Sequence, residues 1–308
     1  MTAKERDGGR SLEVICRLLG RTRQAYHKRQ RSEERESARS DLVVQEVVKI
    51  RACQKRIGVR KLYYMLESFL AEHAIVMGRD AFFDLLRENS LLVRRRRARK
   101  PRTTFASPWK RYPNLIRDHV PTGANQIWVS DITYVRVGEG FAYLSLITDA
   151  YSRKIVGYSL YRDLSARGCV AALKMALRDN RDREGLIHHS DRGLQYSSSA
   201  YMKVLGRKIR VSMTENSDPL ENAIAERVNG ILKDELLEKR FESFNEAQKK
   251  IDEAVSVYNH LRPHLSIDML TPAAAHSKTG ELKRRWKNYF SQPTTIGPSA
   301  QVAAYAAT

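Results

Sequence analysis

The spacing of apolar residues changes along the chain, and each change marks a new kind of element. Up to residue 92 they recur every three or four positions, the helical period. Leu12, Val14, Ile15, Leu18 and Leu19 predict a short helix over 11–19, which Gly20 breaks. A second helix, over 22–31, is rich in Arg, Lys and Gln. Helix, glycine turn and basic helix fit a helix-turn-helix or an ordinary helical hairpin. Leu42, Val43, Val47, Val48 and Ile50 predict a third helix over 41–56. Two more, over 58–71 and 78–87, each open on glycine and complete a second helix-turn-helix bundle. Its last helix would present Arg79, Asp80 and Arg87 outwards.

At Gln126 the period drops to two. Ile127, Val129 and Asp131 alternate with Trp128, Ser130 and Ile132, and the strand continues through Thr133, Tyr134 and Val135. Residues 141–147 and 154–160 are two further strands joined by short turns, so the three predict an antiparallel meander. Then come a helix (166–177), a strand (185–189), a helix (197–205) and a strand (209–213). That order predicts an α/β fold matching the ribonuclease-H-like architecture, a mixed five-stranded sheet flanked by helices and preceded by all-α segments.

The next helix, over 218–237, organises the chemistry. Asp218 is a suitable N-cap, Pro219 suits the first helical position, and Glu221 completes a capping box. Leu220, Ile224, Val228 and Ile231 form an apolar stripe. Asn222, Glu226, Asn229 and Lys233 form a polar one, which places Glu226 away from the core. A helix over 244–258 follows, then loop and short helix to residue 289, and a mobile tail low in charge from residue 291.

Charge adds a partner. The net charge is +20. Residues 1–125 hold 29 Lys/Arg against 14 Asp/Glu, a surplus of 15, so the helical segments and linker carry most of it. A polyanion is the natural ligand, nucleic acid above all. Residues 91–111 contain nine Lys/Arg and no acid, including Arg94, Arg95, Arg96 and Arg97, and suit phosphate-backbone tracking. Trp109 and Tyr112 can add stacking or anchor the linker. No apolar run reaches transmembrane length, and Met1 to Arg10 is too polar for a signal peptide. The three cysteines are far apart with no CxxC pair, so neither a disulfide framework nor a zinc knuckle is indicated, and a reducing cytoplasm fits. The layout expected is a helix-turn-helix-like segment (1–38), a second helical DNA-binding domain (39–92), a basic linker (93–125), a catalytic core with its following helix (126–275) and a C-terminal tail (276–308).

Three acids stand out against this frame. Asp131 lies in the first strand, Asp191 just after the fourth, and Glu226 on the organising helix. In the inferred fold they converge at one sheet edge. Converging carboxylates repel unless a cation lies between them, and hard oxygen donors favour Mg²⁺ or Mn²⁺. Two such ions would support in-line phosphoryl displacement. Each acid alone is weak evidence, since a strand-end Asp is usually a turn residue and a helical Glu is usually solvated. Asp149, Glu215, Asp218 and Glu221 are nearby alternatives, with Asp149 a structural decoy and Glu221 a capping residue.

The residues from Trp128 to Tyr134, His189-Ser190-Asp191-Arg192-Gly193 with Gln195-Tyr196, Glu221 to Glu226, Leu232 to Leu236, and Tyr258-Asn259 with Arg262-Pro263-His264 carry a resemblance. With Gly58-Val59-Arg60-Lys61-Leu62 ahead of the core, they resemble the OrfB-type transposases of bacterial insertion sequences, which have a retroviral-integrase-like Asp-Asp-Glu core. The resemblance covers roughly residues 11–275. It implies that Asp131, Asp191 and Glu226 are the catalytic metal ligands, holding two Mg²⁺ or Mn²⁺ ions, and that Lys233 contacts DNA near the scissile phosphate. Asn222 would orient Glu226 or DNA, and His189 would touch DNA or metal-site water or be structural. The function implied is a DNA transposase that binds terminal inverted repeats, cleaves a phosphodiester and transfers the 3′-hydroxyl to target DNA. A homo-oligomeric synaptic complex, an upstream-frame (OrfA) product as fusion or partner, and a cytoplasmic, nucleoid-associated setting in bacteria come with it. Two features depart from the family pattern: the interval from Asp191 to Glu226 is one residue shorter than is common, and Arg227-Val228 stand where many relatives carry aromatics. The competing expectations are a non-catalytic DNA-binding relative that regulates transposition and a ribonuclease-H-type nuclease.

Overall fold

The computed structural model describes residues 12–93, 112–180, 184–215 and 219–285. The first part is helical: α1 (Leu12–Leu18), α2 (Arg23–Cys53), α3 (Val59–Glu72) and α4 (Arg79–Glu88). Gly20 turns the chain with φ +64°, and the Thr22 side chain caps α2 by accepting from Ala25 N. The two helices expected over 22–31 and 41–56 are one continuous α2, so the boundary expected at 38/39 falls inside it. Residues 32–40 contain no Gly or Pro to break the helix, and an Arg29–Glu33 pair spans one turn at its edge. Val43 and Val47 of α2 pack with Leu62, Leu66 and Leu70 of α3 and Phe82, Leu85 and Leu86 of α4 into a small core. Arg79, Asp80 and Arg87 are exposed on α4, as expected.

The second part is built on five strands: β1 (Ile127–Val137), β2 (Gly140–Asp149), β3 (Ile155–Tyr161), β4 (Ile187–Ser190) and β5 (Arg210–Met213). Their order is β3-β2-β1-β4-β5. β1, β2 and β3 are antiparallel, and β4 and β5 join parallel to β1, giving the ribonuclease-H-like sheet. α5 (Ala166–Asp179) and α6 (Ser199–Leu205) cover one face, where Trp128 and Ile147 meet Cys169, Leu173 and Tyr201. α7 (Ala223–Ile231) and α8 (Phe244–His260) cover the other, where Val135, Leu144 and Leu146 meet Val228, Ile231, Ile251 and Tyr258. Neighbouring residues of β2 thus feed opposite cores, as a strand's period of two requires.

Several boundaries moved. The expected linker joins the core from Tyr112 onward. Tyr112, Leu115 and Ile116 pack against core clusters, and Leu115 N donates to Ser212 Oγ at 2.9 Å. Residues 276–285 are also attached: Asp268 N donates to Lys283 O, and Arg285 N to Leu265 O, both at 2.8 Å. The organising helix is not uniform. It opens as a 3-10 turn (Pro219–Asn222), runs as α7, and loosens into a π turn (Leu232–Leu236). Asp218, Arg94 to Arg97, Trp109 and the tail from residue 291 lie outside the described residues.

The helical part and the core meet at that π turn. Arg56 donates to Asp234 O at 3.0 Å, Gln54 Nε2 to Leu261 O at 3.3 Å, and Lys55 pairs with Glu238 at 2.9 Å. Behind them Arg262, almost fully buried, holds Glu235 with two hydrogen bonds of 2.9 Å. Lys61 approaches the same carboxylate at 3.9 Å, and its ammonium is pushed down to about 8, first by burial and then by the Arg262 charge.

One glycine fixes how α5 sits on the sheet. A Cβ at Gly157 of β3 would lie 2.2 Å from Ala172 O and 2.9 Å from the Ala176 methyl. Backbone therefore touches backbone there. Gly157→Ala is expected to destabilise the protein by about 1–3 kcal/mol or more in urea denaturation, the range of an overpacked core. Gly230→Ala, in α7 with open space around it, should be neutral or stabilising by up to about 1 kcal/mol.

Candidate active site

Register brings the first two acids together. β1 and β4 pair in parallel with Ser130 opposite Ser190. One step further along both strands stand Asp131 and Asp191. Asp131 Oδ1 accepts from Ile132 N at 2.9 Å, and Oδ2 accepts from Asn229 Nδ2 at 2.6 Å. Asp191 Oδ1 accepts from Gly193 N at 3.0 Å, an Asx turn that fixes the carboxylate over the residues that follow it.

α7 runs beside β1, and the two periods match. Asn229 meets Asp131, and Lys233, four residues on, donates to Thr133 Oγ1 at 3.2 Å. Four helical residues advance about 6 Å, and two strand residues nearly the same. Asn222, at the start of α7, is buried and donates to Ser130 O at 3.0 Å. The polar stripe read from sequence therefore faces β1, where β4 ends beside it. Asn222 and Asn229 are buried in it, and Glu226 and Lys233 are partly so. Lys233 Nζ also lies 4.6 Å from the centre of the Tyr134 ring.

Electrostatics sets the two aspartates apart. The Asp131 carboxyl is pushed up to about 7, first by burial, then by the Asp191 charge. Glu226 raises it too, but less than Asp191 does. Asp191 is also raised, chiefly by burial. Among the described residues, no three His, Cys, Asp or Glu side chains are grouped tightly enough to hold an ion. The structure thus joins Asp131 and Asp191 and keeps Glu226 on the neighbouring helix, acting on Asp131 through its charge.

The remaining expected residues separate by burial. His189 is wholly buried and its Nδ1 lies 2.8 Å from Ser212 Oγ, so it does not reach DNA from this position. Burial pushes its imidazole down to about 4, and that of His188 to about 3. His188 Nε2 lies 2.8 Å from Ser130 Oγ and 2.9 Å from Tyr201 OH, which fixes β4 against β1 from the far face. Asp149 is structural: it accepts from Ser152 N, Ser152 Oγ and Asn125 N, each at 2.7 Å. Asp218, the other half of the expected capping box, lies outside the described residues, and the Glu221 carboxylate has further partners. Glu221 Oε2 accepts from Glu215 N at 2.8 Å, and its Oε1 lies 3.5 Å from Arg117. The site residue missed from sequence is Asn229. It stood on the polar stripe, one turn after Glu226, but its partner becomes visible only once α7 is laid along β1.

Comparison with known proteins places these elements in a family. Two family models, both described as integrase core domain, match residues 121–219 and 207–272. A 31 kDa protein of insertion element IS600 from Shigella sonnei is 33% identical over 270 residues, covering 86% of this chain and 98% of that protein. The transposase of insertion sequence element IS904 from Lactococcus lactis is 36% identical, over 52% of this chain and 65% of its own length. Among solved structures, the HTLV-2 integrase catalytic core domain in complex with magnesium aligns with a TM-score of 0.41 at 19% identity, over 51% of this chain and 99% of that one.

The raised Asp131 carboxyl has a measurable consequence. Its folded-state value near 7 lies above the unfolded value near 3.8. The stability it contributes is fully present below the unfolded value and is lost as pH rises through about 7. The stability of Asp131→Asn relative to the parent protein, in metal-free buffer, should therefore grow from about pH 5 to pH 7.5 and then level off. The plateau expected is roughly 2–4 kcal/mol, trimmed by the partial exposure of the carboxyl. Urea denaturation across that range measures it.

Proposed function

This chain belongs to the insertion-sequence transposases that carry an integrase core domain, and we propose that it is a metal-dependent DNA strand-transferase. The observation that carries the reading is the pair Asp131 and Asp191, made neighbours by the β1–β4 register, with Glu226 on the helix beside them. The donor set fits a hard divalent cation: carboxylate oxygens whose mutual repulsion already raises Asp131 are relieved when a cation is bound. Asp131, Asp191 and Glu226 would hold Mg²⁺ or Mn²⁺, two ions in the full site. Such ions supply Lewis-acid polarisation of the phosphoryl group and an acidified attacking hydroxyl.

The chain's own residues orient the reaction. Asn229 holds the Asp131 carboxylate and so sets the direction of its free lone pairs. Lys233 brings a positive charge to the rim of the site, where a DNA phosphate would lie. In the first step, water attacks the phosphorus at the element end, the P–O3′ bond breaks, and a 3′-hydroxyl is released. In the second, that hydroxyl attacks a phosphodiester of the target, and a new 3′-hydroxyl leaves. Charge stabilisation and alignment supply most of the acceleration. The helical segments and the basic linker would engage the terminal inverted repeats. Paired ends would require more than one copy of the chain, and an upstream-frame (OrfA) product could be fused to it or join it. Among the described residues no helix is long and apolar enough to cross a membrane. A cytoplasmic, nucleoid-associated setting fits a DNA substrate.

The test is strand transfer of labelled element-end DNA with Mg²⁺ or Mn²⁺. Joined products are expected from the parent protein, and EDTA should abolish them. Asp131→Asn and Glu226→Gln should each lower the rate at least about 10²-fold, the size of losing one preorganised electrostatic group, while DNA binding persists. Binding by the parent with no product at any metal concentration, alone or fused to the upstream-frame product, would identify a non-catalytic regulator. The rise in melting temperature on adding Mn²⁺ should be larger at pH 8 than at pH 6, because protons compete for a carboxyl that titrates near 7.

A further inference from the structure

The first half of α2 is a helix without a core. Between Arg21 and Arg39 every residue is exposed, and packing begins only near Val43. A helix that buries nothing gains only propensity and its cap. A basic strip winds along it: Arg23, His27, Arg31, Arg35 and Arg39 follow one another at four-residue spacing, each about 40° further round the helix, with Lys28 beside them. Within the described residues none of these arginines, nor Lys28, makes an ion pair, whereas Arg29 on another face pairs with Glu33. Like charges four apart cost a helix a few tenths of a kcal/mol each, so an ordinary solvated face would interleave acids. Here the cations face a groove of about 1280 Å³ closed by Ile75, Val76 and Met77, and Glu36 is its lone acid. Those three residues lead directly into Gly78 and α4.

We propose that this groove seats the phosphate backbone of a DNA duplex, a second contact separate from the Asp131–Asp191 edge. The proposal rests on the reading of the protein as a DNA transposase and assigns part of its DNA contact to residues of α2. Four-residue spacing puts one cation about every 6 Å along the helix axis, close to the axial rise of every second phosphate of one strand, at about 3.4 Å each. The span from Arg23 to Arg39 is about 24 Å, most of one duplex turn. Val76 is a single exposed apolar residue at the groove, too little for a lipid-inserting face. The groove lies beside the N-terminus of α4. The α2 contacts would fix position and not sequence.

The probe is fluorescence anisotropy of the full chain with two labelled duplexes, an element end and an unrelated sequence, over a range of NaCl. The variant is Arg31→Gln/Arg35→Gln/Arg39→Gln, which keeps helix propensity; far-UV circular dichroism checks that it folds. Loss of three phosphate contacts should reduce the slope of log K against log [NaCl] by roughly 2–3, and equally for both duplexes. Affinity at low salt should fall about ten-fold or more. Replacing the same three arginines by lysine should restore the slope, and Arg178→Gln, exposed on α5, should leave it unchanged. An unchanged slope in the triple glutamine variant overturns the proposal, as does a loss confined to the element-end duplex. Strand transfer by the parent protein, run beside these titrations, tells this failure from a failure of the transposase reading. A parent that joins DNA ends while the triple variant binds normally sinks only the groove.

Discussion

The structure depends on the parallel register of β1 and β4. Two half-buried carboxylates that repel each other are held side by side because Ser130 faces Ser190 and an acid follows each serine. A slip of one residue would turn Asp131 to the opposite face, towards Trp128 and α5. The far side of the sheet guards against that slip. His188, kept neutral by burial, binds Ser130 and Tyr201 there, and Trp128 donates to Asn125 Oδ1 at 3.1 Å. Polar bonds inside a low-dielectric core are costly to leave unmade, so one register satisfies the histidine, the serine and the tyrosine together.

α7 then does two jobs at its two ends. Its polar stripe locks onto β1 through Asn222, Asn229 and Lys233. Its π turn holds the joint with the helical part, where Arg56 meets Asp234 O and Lys61 shares Glu235 with Arg262. Arg262 is buried with Glu235 as its charged partner, so removing that carboxylate would strand a cation inside the protein. The joint and the acid edge are therefore joined by one short helix.

Much of this was legible in the residues. The switch from a period near four to a period of two at Gln126 located the sheet, and the order of strands and helices gave its topology. The polar stripe of the organising helix was seen, but its direction was not. A stripe of amides and charges at helical spacing reads as solvent-facing, and only the fit of helix to strand shows Asn229 reaching Asp131. Glu221 was assigned to the helix cap by local chemistry, and nothing in the sequence pointed to its further partners Glu215 N and Arg117, the latter brought up by residues 112–117. The uninterrupted α2 was divided in sequence because residues 32–40 lack apolar positions. That absence removes the helical signal without adding any residue that ends a helix.

The close approach at Gly157 has a genetic consequence. The one side chain that fits is a hydrogen atom, since a Cβ would meet the carbonyl oxygen of Ala172. Every non-synonymous single-base change in a glycine codon yields either a residue with a Cβ or a stop. No missense mutation of that codon is therefore sterically silent. This codon lies between those of Asp131 and Asp191, so a single-base change there can weaken the core while all three acids stay in place.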